Sequence, residues 1–291
     1  LGKYNNIEKD IDNQNDSDFV STTTGFLGGL KYTKLLNGKK NRWKTLISEV
    51  KKYDPKNPVI KAILKTISLA FYIPLYFIAK LKGTPEKYTY KITSNWGKSL
   101  IKIANIELEI IGEFKLPENR AIIFISNHTS PYDIPIIYGS LPVLAGFISN
   151  KEISKMPVMN FWMRKAHSIF VDIYDPKSKV NTLRKIVNNL NKKQNLIIFP
   201  EGKMSPDGNL QEFQRGSFKA AEISEAIIAP IALIGVRNVI LPGSFTLNSN
   251  QKVRFCIGEP IDVLKLSKSQ KNDLSKIAFD SINAMIKRYS F

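Results

Sequence analysis

The chain has 291 residues, with 43 Lys and Arg against 25 Asp and Glu, giving a formal net charge of +18. That length can bury one sizeable core, and the charge points to anionic partners: a membrane surface, nucleic acid or a phosphorylated substrate. A single cysteine, Cys256, excludes an internal disulfide framework and a cysteine-based zinc site, and two histidines, His128 and His167, leave no multi-histidine metal centre.

The first twenty residues carry five acidic and two basic side chains without a basic-then-apolar order, so a mobile lead-in is expected and a cleavable signal peptide is not. Residues 1–50 form a polar to basic N-terminal segment, and residues 31–65 hold eleven Lys or Arg against two acids. Thr66–Ala79 is an uncharged stretch of fourteen residues between Lys65 and Lys80. It falls short of the roughly 20 residues that span a bilayer. Basic flanks and aromatic residues fit a helix lying in a membrane interface, whereas a core helix with lysines facing water is the plainer alternative. Residues 51–100 are therefore expected to form a helical membrane-docking segment.

From residue 101 to 291 strand-like and helix-like stretches alternate. A helix is expected over Ser94–Ala104, and strands over Ile106–Ile111, Ala121–Ser126, Val143–Ser149, Ile169–Asp172, Leu196–Phe199, Ile227–Ile234 and Lys252–Ile257. Lys177–Lys193, Gly216–Ser224 and Lys268–Tyr289 read as helices. The alternation predicts an α/β fold with a mixed, largely parallel sheet flanked by helices.

Asn127-His128-Thr129-Ser130-Pro131-Tyr132-Asp133 follows the second of those strands. Ser130 and Pro131 look like a helix N-cap and first position, which puts His128 in the loop and Asp133 in the first helical turn. There the carboxylate could accept Nδ1–H, fix the tautomer and leave Nε2 as a general base. Alternatively, Ser130 to Asp133 is only a capping box. A second stretch, Phe199-Pro200-Glu201-Gly202-Lys203, ends another apolar strand in a charged, glycine-containing loop, where an α/β sheet would bind a ligand. Glu201 and Lys203 sit where an acceptor hydroxyl or phosphate could be held, although a plain surface loop has the same composition.

His128 and Asp133 as HxxxxD, followed some seventy residues later by Phe-Pro-Glu-Gly at 199–202, resemble the glycerolipid acyltransferases, which include the 1-acylglycerol-3-phosphate acyltransferases. Lys151-Glu152-Ile153 with Pro157, then Ile169-Phe170-Val171-Asp172, is similar to that family's second block, and Ile228-Ala229-Pro230-Ile231 to its fourth. The resemblance implies an acyl-CoA or acyl-carrier-protein donor, a lysophospholipid acceptor with lysophosphatidic acid first, and no cofactor or metal. His128 would be the base and Asp133 its orienting carboxylate. Glu201, Gly202, Lys203, Lys151, Arg164 and Arg215 would be the substrate-binding candidates. It further implies a peripheral or monotopic enzyme on an anionic, cytosol-facing leaflet.

Two positions depart from the family pattern. Ile173 and Met204 stand where arginine is usual, and a lysine at 203 offers phosphate a point charge rather than a bidentate fork. An acceptor with another headgroup is therefore the first rival reading, and a non-catalytic lipid-binding relative the second. Nucleic acid is not expected as a partner, since no recognised nucleic-acid motif is present.

Overall fold

The computed structural model describes residues 85–117, 119–172, 178–240 and 247–291. The expected docking stretch at 66–79 and Ile173 lie outside those residues. Strands β1 (Glu107–Ile111), β2 (Ile122–Ser126), β3 (Ala145–Asn150), β4 (Ile169–Val171), β5 (Asn195–Ile198), β6 (Ile227–Ile234), β7 (Lys252–Ile257) and β8 (Ile261–Asp262) form one sheet. Its order is β1-β7-β6-β2-β5-β3-β4, with β8 also beside β6. All pairs are parallel except β6 with β7 and with β8. Helices α1 (Glu86–Ile103), α2 (Asp133–Ser140), α3 (Pro157–Lys165), α4 (Ser178–Asn191), α5 (Gly216–Ser224), α6 (Lys268–Asn272) and α7 (Leu274–Tyr289) complete the described fold. The mixed, mostly parallel sheet is the one the alternation predicts.

Alternation along the central strands builds two cores. Ile122, Phe124, Ile197, Ala229, Ile231 and Phe255 face one side, packed with Leu100 of α1 and Ile136 and Ile137 of α2. Ile123, Ile125, Leu196, Ile198, Ile228 and Cys256 face the other, with Ile186 of α4, Ala221 of α5 and Ala278 and Ile282 of α7. Covered on both faces, β2 and β6 are buried at every residue and read as unbroken apolar runs, whereas edge strand β1 has no buried residue.

Pro230 in the middle of β6 would ordinarily interrupt a ladder. Its carbonyl accepts the Gly258 amide at 2.9 Å, in the break between β7 and β8. The missing N–H of Pro230 faces that same break, so no ladder bond is lost.

Helix α1 begins eight residues before the expected Ser94 and straddles the boundary drawn at residue 101. Its buried face is Thr89, Thr93, Ser94, Gly97 and Leu100, mostly small polar residues that carry no apolar period. Small residues let α1 and α2 approach closely: a Cβ on Gly97 would lie 2.3 Å from the Pro135 carbonyl oxygen. The C-terminal helix expected over Lys268–Tyr289 is two, because a Ser267–Gln270 capping box starts α6 and the chain turns at Asp273. No helix among the described residues is long and apolar enough to cross a membrane.

Candidate active site

The chain leaves β2 through α2 on one face of the sheet and leaves the adjacent β5 through α5 on the other. Diverging connections of this kind open a crevice beyond the carboxyl ends of the two strands. His128 follows β2 there, and Glu201 follows β5.

The loop after β2 is fastened at each residue. Asn127 donates from Nδ2 to the Leu233 carbonyl at 2.9 Å and accepts the Leu233 amide on Oδ1 at 2.8 Å, extending the β2–β6 pairing by its side chain. Oδ2 of Asp133 accepts the Thr129 amide at 2.7 Å and the Ser130 amide at 2.9 Å, and lies 2.8 Å from Nδ1 of His128. The capping and tautomer-fixing alternatives thus coexist on one oxygen. The Ser130 hydroxyl is close to the Tyr132 amide, and the regular helix begins at Asp133 rather than Pro131. A carboxylate in the first turn also gains from the helix dipole.

Because Asp133 can only accept, Nδ1 of His128 carries the proton and Nε2 is the free acceptor. Nε2 has no hydrogen-bond partner among the described residues. His128 is 3% exposed and its ring stacks on Phe199, with centroids 4.0 Å apart and planes 11° from parallel. Phe147 stacks behind Phe199. Position, tautomer and ring plane are therefore all set before a substrate arrives, the preorganisation that general-base chemistry requires.

Glu201 is equally buried, at 3% exposure. Its Oε1 accepts the His128 amide at 2.7 Å and its Oε2 the Gln211 amide at 3.0 Å. Burial pushes its carboxyl up to about 7, opposed by those two amides and reinforced by the charges of Asp133 and Asp207. The Ser205 amide donates to the His128 carbonyl at 2.8 Å, and the Ser205 hydroxyl closes the turn through Asp207 and Asn209. Gly202 takes φ +79°, a backbone conformation that favours glycine, and it lies against the Gln214 side chain.

Among the other expected substrate contacts, Lys203 and Arg215 are exposed, and the Gly202–Gln214 contact brings their loops together. Lys151 follows β3 at the same end of the sheet and pairs with Asp172 at 3.1 Å. Arg164 is turned onto its own helix and strand β4: it donates to Asn160 at 2.6 Å and lies 5.2 Å over the Phe170 ring. His167 is half-buried with φ +66° and contacts Glu86 at 2.7 Å. Burial pushes the Cys256 thiol up to about 11, so it stays a thiol within β7. Sequence reasoning missed Asn127, Phe199, Ser205 and Gln211 as parts of the site. A polar residue ending an apolar strand beside a histidine was the signal for Asn127.

Residues 107–234 match the family model described as Acyltransferase. The chain is 27% identical to the chloroplastic 1-acyl-sn-glycerol-3-phosphate acyltransferase LPAT1 of Arabidopsis thaliana, over 79% of its own length and 66% of the relative's. It is 32% identical to the chloroplastic BAT2 enzyme of the same description from Brassica napus, over 64% and 50%. With the 1-acyl-sn-glycerol-3-phosphate acyltransferase of Borreliella burgdorferi it shares 26% identity over 62% and 72%. The chain thus spans about two thirds of the first plant relative and half of the second. The crystal structure of the 1-acyl-sn-glycerophosphate acyltransferase PlsC from Thermotoga maritima superposes with a TM-score of 0.63 at 25% identity, covering 79% of this chain and 97% of that one. Motif blocks, sheet topology and sequence agree in likening residues 107–234 to the acyltransferase family.

Proposed function

We propose that this chain transfers a fatty acyl group from acyl-CoA or acyl-carrier protein to the free hydroxyl of 1-acylglycerol-3-phosphate, giving phosphatidic acid. The observation that carries the reading is the buried His128–Asp133 pair at the crevice between β2 and β5, with Nε2 left unpartnered. His128 takes the hydroxyl proton on Nε2 as the oxygen attacks the thioester carbonyl. Asp133 stabilises the imidazolium without taking its proton. The tetrahedral intermediate collapses to the new ester, and the departing thiolate takes the proton back from Nε2. A thiolate leaves readily, so the transfer needs no acyl-enzyme. The names of the relatives favour lysophosphatidic acid as acceptor. Lys203 and Arg215 are the exposed cations suited to its phosphate, and the net charge of +18 suits an anionic membrane surface.

The test is thiol release from palmitoyl-CoA by purified protein, with and without lysophosphatidic acid, alongside His128→Ala. Acceptor-dependent release that falls about a thousandfold in the variant is the expected result. Release with other lysolipids but not this one would keep the chemistry and replace the acceptor. Silence with every donor and acceptor would overturn acyl transfer in favour of lipid binding alone.

A further inference from the structure

Glu201 stands in the loop expected to grip the acceptor, yet both its oxygens point inward. The amides of His128, Thr129 and Ser130 are three successive donors at the buried floor of the crevice, and two carboxylates take all three. Asp133 holds the second and third, and Glu201 holds the first at 2.7 Å. Through its other oxygen Glu201 ties that amide to Gln211, on the far side of the loop that follows β5. No cation pairs with Glu201 among the described residues, so the two main-chain donors are what compensate its burial. A glutamine in the same place would accept one of these amides and turn an N–H donor toward the other. Both oxygens are thus engaged by the main chain, for a reason that involves no substrate.

We infer that Glu201 is a positioning residue, which fixes the main chain of His128 so that Nε2 keeps its place relative to the attacking hydroxyl, and does not grip the acceptor. The main-chain bond acts where Asp133 does not. Asp133 orients the ring about its side-chain torsions, whereas Glu201 fixes the backbone from which those torsions start. Displacing a base by about 1 Å can cost on the order of a hundredfold in rate without weakening substrate binding.

The kinetic half of this inference rests on the acyltransfer reading; the structural half does not. The experiment pairs Glu201→Gln with Gln211→Pro, which removes the second amide and leaves both catalytic side chains untouched. Each folded variant is assayed with palmitoyl-CoA and lysophosphatidic acid, and amide hydrogen exchange is followed at residues 128–130. In Glu201→Gln, kcat falls by about tenfold to a hundredfold, acceptor KM stays within about twofold, and exchange at His128 rises. Gln211→Pro shows the same pattern at smaller size. A rise in acceptor KM of about tenfold with kcat unchanged would overturn the inference and make Glu201 an acceptor ligand. If the wild-type protein proves inactive with every lysolipid, exchange alone decides: unchanged protection at residues 128–130 in both variants sinks the positioning role. If Glu201→Gln fails to fold, Gln211→Pro carries the same two readouts.

Discussion

The floor of the crevice and its rim are built on opposite terms. On the floor, residues 128–130 engage two buried carboxylates and an aromatic platform, and the Asn127 side chain ties the loop to β6. On the rim, Lys203 and Arg215 are exposed, Lys151 is shared with Asp172, and Arg164 is committed to its own helix and Phe170. A proton-transfer site demands fixed geometry in a dry surrounding, which only interlocked buried groups provide. Recognition of a charged headgroup in water tolerates solvated cations on mobile stems. On the proposed reading the floor carries the reaction and the rim the choice of acceptor, so changes in the two regions should move different kinetic constants.

The largest break in that comparison is Asp133→Asn. The amide keeps the volume but presents one oxygen and one donor where three donors converge on Oδ2. A neutral amide oxygen in that place brings no negative charge to stabilise the imidazolium, and its NH2 group falls where Oδ1 is buried without a partner. We expect kcat to fall by about a thousandfold, with acceptor KM nearly unchanged in steady-state assays. An acceptor KM that rises while kcat holds would show that floor and rim are not separable.

A smaller effect concerns stability. Glu201 has an ordinary carboxyl value of 4.5 in the unfolded chain and about 7 in the fold. Below pH 4.5 both states hold the proton; between 4.5 and 7 only the folded state does, so stability contributed by the protonated group is lost as pH rises through that window. The loss is on the order of 3 kcal/mol. Glu201→Gln removes the titration. Denaturant midpoints of wild type minus variant should therefore fall from pH 4.5 to about 7 and level off above it. A difference that stays flat across that range would show that Glu201 is not perturbed by burial.

The floor was more legible in sequence than the rim, and the reasons are physical. Strands β6 and β7 have the expected limits: β6 reads as an unbroken apolar run, and β7 as apolar residues alternating with Lys252 and Arg254. His128 and Asp133 could be paired because a strand–loop–helix corner leaves few places for their side chains. The direction in which Glu201 points was not legible, since a glutamate after a strand looks the same whether it meets a substrate or a buried amide. Helix α1 was cut short because Thr89, Thr93 and Gly97 pack by smallness rather than hydrophobicity. Strand β8 has two residues, too few for any period to show. The Asn127 bridge joins positions 106 residues apart, and no local pattern encodes that.

The smallest expected effect sharpens the rim. Lys203 is exposed and has no carboxylate partner among the described residues, so its charge is free for an anion but screened by water. Such a contact contributes about 1 kcal/mol or less. Lys203→Ala should then raise acceptor KM about threefold to fivefold, with kcat unchanged, and the difference should shrink as salt is added. Met204→Arg tests the same surface from the other side. A guanidinium can meet a phosphate with two parallel donors, which a lysine cannot. If lysophosphatidic acid is the acceptor and this rim holds its phosphate, the arginine variant should lower KM for that lipid and leave KM for a lysolipid with a zwitterionic headgroup unchanged. Equal effects on both would assign the gain to general membrane attraction and move the phosphate contact away from this loop.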